Sequence, residues 1–490
     1  MNISAVIDYL NKTLGYSIDA SFYTHIAKWK NWWEGYYKPF HLYHEKLNGK
    51  STERHIYSLK MGKKVCEDWA ALLLNEKTQI VVNDKTSSTF LQGDDQIGGI
   101  FGETQFWKHE NELVEKAFWS GTGATLLRMD NMLVQGDTVA PDTGTKIRLD
   151  YLPADCILPL TVHSGEIIDV AFISEVTFHG ETYDYLETHI LEPNKGYHIT
   201  NQYFKEDAGV LSPAALPPGM VESYYTGSEI PLFSVLTPNL VKNIRTGPGM
   251  GMSILQNALD ALKGVDLAFN NFCRDFRLGG KKVFYRQDLT QYDQNGNIVT
   301  PDDIMQQLFI QLGDGADAAG MQGDPIHEYN PDLRVSENRD AVQAMLDYLS
   351  FKVGFGAKHY QFNGSTVATA TQYMGDKQDL AQNASKHNIN VESHLQGICR
   401  AILWAGKNIL GQPVNPDARV TVNFDDGYIN DDDTKRERDR QDVRDGLLKS
   451  WEYRVKWYGE DEATAKAVLG AAADLQNPFG YKQGVGNANA

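Results

Sequence analysis

Through the first ~120 residues the apolar positions fall at helical intervals. Phe22, Ile26, Trp29 and Trp33 recur at spacings of four, three and four, and Val65, Trp69, Leu72 and Leu73 mark a second apolar face. Both faces predict helices that enter one core. A third helix is expected from Glu103 to Trp119, with Phe106, Leu113, Ala117 and Phe118 on one side and Gly121 and Gly123 ending it. From Ala124 to Lys205 the pattern shortens to alternation rich in β-branched and aromatic residues, as in Lys146 to Tyr151, Val170 to Val176 and Tyr197 to Tyr203. That predicts an antiparallel sheet region. Three prolines between Leu211 and Pro218 and the breaker Thr246 to Gly251 then set a boundary near 240–251.

The next segment is the most regular. Leu255, Ala258, Leu262, Val265, Phe269, Phe272 and Phe276 alternate spacings of three and four. A helix from Met252 to Leu278 would be roughly 40 Å long, and Gly279-Gly280 stops it. Lys281 to Asn330 reads as a compact insert: a strand Val283 to Arg286, an Asn295-Gly296 turn, a helix from Pro301 to Leu312 and an Asp/Gly-rich loop. Val342, Leu346, Leu349 and Val353 carry a returning stripe, so the insert should cap an antiparallel helix pair. The glycine-punctuated loop Gly354 to Thr366 leads into a long helix from Ala368 to Leu410. Its half Thr371 to Asn390 is polar, and its half Val391, Leu395, Ile398, Ile402, Ala405 and Ile409 is apolar. A last strand, Arg419 to Phe424, precedes a helix capped by Asp431 to Thr434 with Val443, Leu447, Trp451 and Val455 on one side, a short helix Glu462 to Leu475, and a Gly/Asn/Ala-rich tail. The fold class is α+β.

With 490 residues, 42% of them apolar, the chain is long enough for two to four domains and is globular. Lys and Arg number 46 against 64 Asp and Glu, a net charge of −18, which argues against a protein whose main task is tight phosphate binding. Cys66, Cys156, Cys273 and Cys399 lie far apart, so neither a disulfide framework nor a zinc knuckle is indicated and a reducing compartment is expected. No export signal or membrane span is expected.

Motifs for chemistry fail one by one. Asn48 to Thr52 looks like the end of a phosphate-binding loop, but His44 stands where that loop needs glycine. Gly247 to Gly251 before a helix lacks a following Lys-Ser/Thr, and Pro248 removes a donor, so a rigid hinge is the better reading. Gln291 to Ile298 resembles a calcium loop with Gln291 where the first acid belongs, and a plain hairpin is preferred. His41 and His44 have no third ligand nearby and read as surface histidines. Asp425 to Asp433 reads as solubility and helix capping. No cofactor, metal or catalytic residue is assigned, although a site assembled only in three dimensions stays open.

The charge map says more. Between Asp260 and Lys282 stand Asp260, Asp266 and Asp275 against Lys263, Arg274, Arg277, Lys281 and Lys282, a local +2 at the far end of the helix pair. Two readings stay open: these bases pair with neighbouring acids, or they face phosphates.

The order of parts, a helical start, a β-rich body, a long helix, a small α/β insert, a returning helix, a glycine-bearing loop and a very long helix, resembles the portal proteins of tailed bacteriophages. The Gram-positive phage group is the nearest likeness, through Trp29-Lys-Asn-Trp-Trp-Glu-Gly-Tyr-Tyr37, Tyr151-Leu-Pro-Ala-Asp155 leading to Pro159, and Val422-Asn-Phe-Asp-Asp-Gly-Tyr-Ile429. The resemblance implies a structural protein of the virion, assembled in the bacterial host cytoplasm, forming a homo-oligomeric ring of about twelve subunits at one capsid vertex. Double-stranded DNA would pass through its channel during packaging and ejection. Its partners would be the terminase large subunit, the head-tail adaptor, and the major capsid and scaffolding proteins.

By position the resemblance implies a wing over 1–240 with 355–425, a two-helix stem over 241–278 and 336–354, an α/β clip over 279–335, a tunnel loop over 354–368 and a helical crown over 426–490. Lys358, His359, Gln361 and Asn363 would face DNA from the loop, and Lys263, Arg274, Arg277, Lys281 and Lys282 would surround the stem tip. Leu255, Leu262, Phe269, Phe272 and Phe276 would pack the stem, and Val283, Phe284, Tyr285 and Arg286 would pair as a strand across subunits. An acidic wall with few bases suits passage of DNA, because each neutralised phosphate strengthens binding and would act as a brake. The rival expectations are an enzyme and a coiled-coil scaffold without a channel.

Overall fold

The computed structural model describes residues 3–47, 50–94, 98–178, 180–207, 209–245, 247–286, 291–292, 294–295, 298–299, 309–312, 326–362, 370–424, 432–458 and 462–468. It comprises two units, Met1–Phe424 and Asp425–Ala490.

The first unit opens with helices α1 (Ile3–Thr13), α2 (Ser21–Glu34), α3 (Lys38–His41), α4 (Met61–Leu73), α5 (Lys85–Gln92), α6 (Ile100–Glu103) and α7 (Phe106–Ser120). The α2, α4 and α7 faces meet in one core through Phe22, Ile26, Trp29, Trp69, Leu113 and Phe118, as their spacing predicts. Two details differ. Trp32, not Trp33, points fully inward, and Trp33 instead stacks on Trp119 at 5.3 Å while its Nε1 donates to Glu115 at 2.8 Å. The helix expected from Glu103 begins at Phe106, because Gln105 takes a left-handed φ of 51° that breaks it from α6. Gly121, at φ 86°, ends α7, and a Cβ there would lie 2.9 Å from the backbone of Met252 and Ser253. The close approach lets Ile254 N donate to Phe118 O at 3.0 Å and seats the next segment on this core.

The alternating region forms two sheets. Strands Ile157–His163, Glu166–Phe178, Glu181–Glu192 and Gly196–Asp207 make an antiparallel meander inside an eight-stranded sheet, and Gly123–Asp130 lies between Phe233–Leu236 and Lys146–Pro153 in a second. An ion cluster links them: Arg128 Nε donates to Glu187 Oε2 at 2.7 Å, and His189 Nε2 lies 2.9 Å from Glu187 Oε1. Burial opposes the Glu187 charge, yet Arg128 and His189 hold its carboxyl down at about 2.

Two long helices, α8 (Leu259–Leu278) and α9 (Val335–Lys352), form an antiparallel pair, Gly279 packing on Leu333 and Gly264 on Met345. α10 (Ala370–Asn408) then crosses the core with Val391, Leu395, Ile398 and Ile402 buried. The burial starts earlier than expected, since Leu380, Ala384 and His387 in the half read as polar are buried too. Inside, Glu110 Oε2 lies 3.0 Å from His394 Nε2 and accepts through Oε1 from Thr125 Oγ1 at 2.8 Å, tying α7, α10 and a sheet together. Strand Val420–Asn423 pairs with Gln79–Val82 and closes the unit. All four cysteines are free thiols.

The second unit holds α11 (Asp432–Arg444), α12 (Ser450–Tyr458) and a helical turn over 462–468. The single helix expected through Val443, Leu447, Trp451 and Val455 is broken. Gly446 at φ 73° ends α11, Leu447 and Leu448 donate back to Asp442 O, and Leu447 is left 80% exposed. No described helix is long and apolar enough to cross a membrane.

Candidate functional site

The helix pair α8 and α9, the loop after it and the insert at its tip gather the residues singled out in the sequence. α8 is shorter than expected. It begins at Leu259 after the 3-10 turn Gln256–Ala258, so Leu255 and Ala258 are buried in a turn and not on the helix. At its root Leu262 and Val265 are buried, and so is Asp266 beside them. Asp266 Oδ2 lies 3.0 Å from His41 Nε2, and Oδ1 accepts from Leu59 N at 2.8 Å. Tyr37 N donates to His41 Nδ1 at 2.8 Å, which leaves the ring proton on Nε2 for Asp266. One turn on, Asn270 Oδ1 accepts from Tyr57 N at 3.2 Å. His41, read from the sequence as a surface residue, is therefore fully buried and bolts the helix root to the N-terminal segment.

Towards the tip the same apolar stripe loses its cover. Phe269 and Phe272 are half-buried and Phe276 is 50% exposed. Asp275 is held by α9: Arg334 donates to both carboxylate oxygens at 2.6 and 3.1 Å and Asn338 adds a bond of 2.7 Å, which keeps the Asp275 carboxyl below its ordinary value. The five bases divide. Lys263 pairs with Asp260 at 2.8 Å and Lys281 with Glu328 at 2.6 Å. Arg274, Arg277 and Lys282 have no carboxylate partner among the described residues, and both arginines are exposed.

The loop folds back along α9 for its first nine residues, 354–362, where Ser350 Oγ accepts from Tyr360 N at 3.3 Å, and three further side chains hold this backbone or that of Val353 just before it. Trp69 Nε1 donates to Val353 O at 3.1 Å, Asn383 Nδ2 to Gly354 O at 2.9 Å, and Gln343 both donates to Tyr360 O at 2.9 Å and accepts from Phe362 N at 2.7 Å. Phe355 stacks on Trp69 at 4.6 Å, and His387 meets Trp69 edge-on at 4.9 Å. Burial pulls the His387 pKa down to about 4, so its neutral ring accepts from Asn239 N at 3.1 Å. Lys358 is exposed at a left-handed φ of 64°, Gln361 is exposed, and His359 stacks on Phe355 at 4.3 Å, where desolvation lowers its pKa. Asn363 lies outside the described residues.

In the insert, strand Lys282–Arg286 holds Val283, Phe284, Tyr285 and Arg286 as expected, but it is the central strand. Phe309–Leu312 pairs with one edge in parallel and Ile326–Tyr329 with the other antiparallel. Both edges are occupied within the chain, so this strand has no free ladder for a neighbour; Ile326–Tyr329 is an exposed outer strand. The helix expected over Pro301 to Leu312 is also corrected: 309–312 is strand, and 301–308 lie outside the described residues.

Residues 16–458 match the family model described as phage portal protein, SPP1 Gp6-like. The chain belongs to this portal family. No curated protein sequence matches it. A portal protein is a structural component of the phage virion that assembles as an oligomer with capsid and DNA, and it is not an enzyme family. The helix order and the glycine loop were legible in the portal sequence. Asp266, Gln343, Trp69 and Asn383 were missed as a set that fixes the root of α8 and the loop. A signal existed for one of them: an aspartate between Val265 and Asn270 on the inward face of an apolar helix asks for a buried partner.

Proposed function

We propose that copies of this chain form a closed ring, of about twelve subunits, around a channel for double-stranded DNA. α8 and α9 would be the stem, the insert the clip that meets the packaging motor and the head-tail adaptor, and the loop after α9 the tunnel loop. One observation carries this reading beside the family. The helix pair leaves Leu267 and Leu278 on α8 and Met345, Tyr348 and Phe351 on α9 exposed, Phe351 at 64%. A lone stem would hold these large side chains in water, and a neighbouring stem would cover them. Among the described residues at the tip of the pair and in the loop, Arg274, Arg277, Lys282 and Lys358 have no carboxylate partner, and these would meet phosphate.

The test is the mass of the purified protein by light scattering and native mass spectrometry, with negative-stain images, for wild type and Phe351→Asp. A ring with a central hole for wild type, and small species with an unchanged melting temperature for the variant, is expected. A wild type that stays a small oligomer at high concentration and beside a capsid scaffold would sink the proposal.

A further inference from the structure

The described part of the C-terminal unit buries almost nothing. Among its described residues Ala465 alone is buried, and α12 buries none. α12 is held to α11 by polar and aromatic groups: Asp439 accepts from Trp457 Nε1 at 2.7 Å and pairs with Lys456 at 2.6 Å, and Arg436 donates to the Tyr453 hydroxyl at 3.2 Å. That occupies the face of α11 bearing Arg436, Asp439 and Val443. The flanks on either side are charged and mostly exposed.

Along those flanks the charges run in opposite order. At about 100° per residue, Glu437, Arg440 and Arg444 fall in one sector of about 60°, acid first and bases after. Arg438, Asp442 and Asp445 fall in another of similar width, base first and acids after; Asp445 is one residue past α11, where its N–H still bonds Gln441 O at 2.9 Å and keeps the helical register. At about 1.5 Å per residue, Glu437 is level with Arg438, Arg440 with Asp442 and Arg444 with Asp445, each to within about 3 Å.

We infer that α11 is a charged zipper whose partner is α11 of a second copy of this chain, standing parallel beside it, the first flank of one against the second flank of the next. Every level of that contact places an acid opposite a base. The inference rests on the ring proposed above. The two flanks stand roughly 130–150° apart round the helix, short of the 180° that would build a straight row. For helices parallel to the ring axis, successive copies therefore turn, and about seven to twelve of them close. Within one chain Glu437 is left with Arg440 at 2.9 Å, an exposed contact that a neighbour's Arg438 supplements.

Antiparallel pairing of two identical flanks would also match charges, but it stops at two copies, and reversing a whole flank leaves it matched. The parallel contact has no such escape. The test uses full-length protein with the first flank reversed (Glu437→Arg, Arg440→Glu, Arg444→Glu) or the second reversed (Arg438→Glu, Asp442→Arg, Asp445→Arg). Native mass spectrometry at about 0.15 M salt reads assembly. Each variant alone should need at least about tenfold more protein than wild type to form rings, and an equal mixture should restore them with the two variants alternating. Recovery on mixing also shows that both variants are folded. A wild-type ring whose reversed variants assemble equally well alone, or fail to recover when mixed, overturns the zipper and leaves the ring standing. A wild type that forms no ring overturns both.

Discussion

The two ends of α8 carry the same apolar spacing and have different fates. At the root Leu262 and Val265 are buried, and Asp266 and Asn270 between them satisfy His41, Leu59 N and Tyr57 N. At the tip Phe276 is half exposed, Asp275 holds an exposed arginine, and Arg274 and Arg277 face solvent. Periodicity alone cannot separate a stripe completed within the chain from one left exposed. The buried polar residues separate them: a carboxylate is taken out of water only where its partners are already in place, so Asp266 marks the half of α8 that belongs to the chain's own core.

The largest effects are expected at the root. Asp266→Ala leaves His41 Nε2–H and Leu59 N without their acceptor and should destabilise the subunit by about 3–5 kcal/mol in denaturant unfolding, and Leu262→Ala by about 2–5 kcal/mol. Phe276→Ala at the tip should cost under about 1 kcal/mol in the same measurement. Equal losses at the two ends would erase the distinction.

The next effect lies where the loop joins the root. His387 has a pKa of about 4 when folded and the ordinary value near 6.5 when unfolded, so the unfolded chain takes up its proton first as pH falls. Stability should be full above about pH 6.5, decline by about 3 kcal/mol towards pH 4, and lose that slope in His387→Gln. A slope that survives the substitution would assign the titration elsewhere.

The smallest effect is at the tip. Arg334→Ala should leave the melting temperature unchanged, because the pair it breaks is exposed and screened. The Asp275 carboxyl should rise back towards its ordinary value, read by NMR titration.

Much of the first unit was legible because helices and strands write their periods into the chain. The α2, α4 and α7 faces, the strand-rich middle, α9 and the buried half of α10 follow directly from apolar spacing. The misreadings have physical causes. The α8 start moved because Leu255 and Ala258 are apolar for the core they enter and not for the helix. Residues 309–312, Phe-Ile-Gln-Leu, suit helix or strand, and pairing with Lys282–Arg286 decided for strand. The role given to Val283 to Arg286 failed because a strand's neighbours come from elsewhere in the chain, here Phe309–Leu312 and Ile326–Tyr329.

By itself the sequence determined the order of parts, the absence of a recognised catalytic motif, and the likeness that the family match bears out, since these rest on local spacing and residue type. The alternating charges of α11 are also local, and helix geometry alone sorts them onto two flanks. Only the tertiary structure decided which aspartate on α8 is buried against His41, which bases are already paired, and that Gln343, Trp69 and Asn383 grip the loop. Those facts join residues up to hundreds of positions apart, and no local pattern records a hydrogen bond whose two ends meet only when the chain has folded.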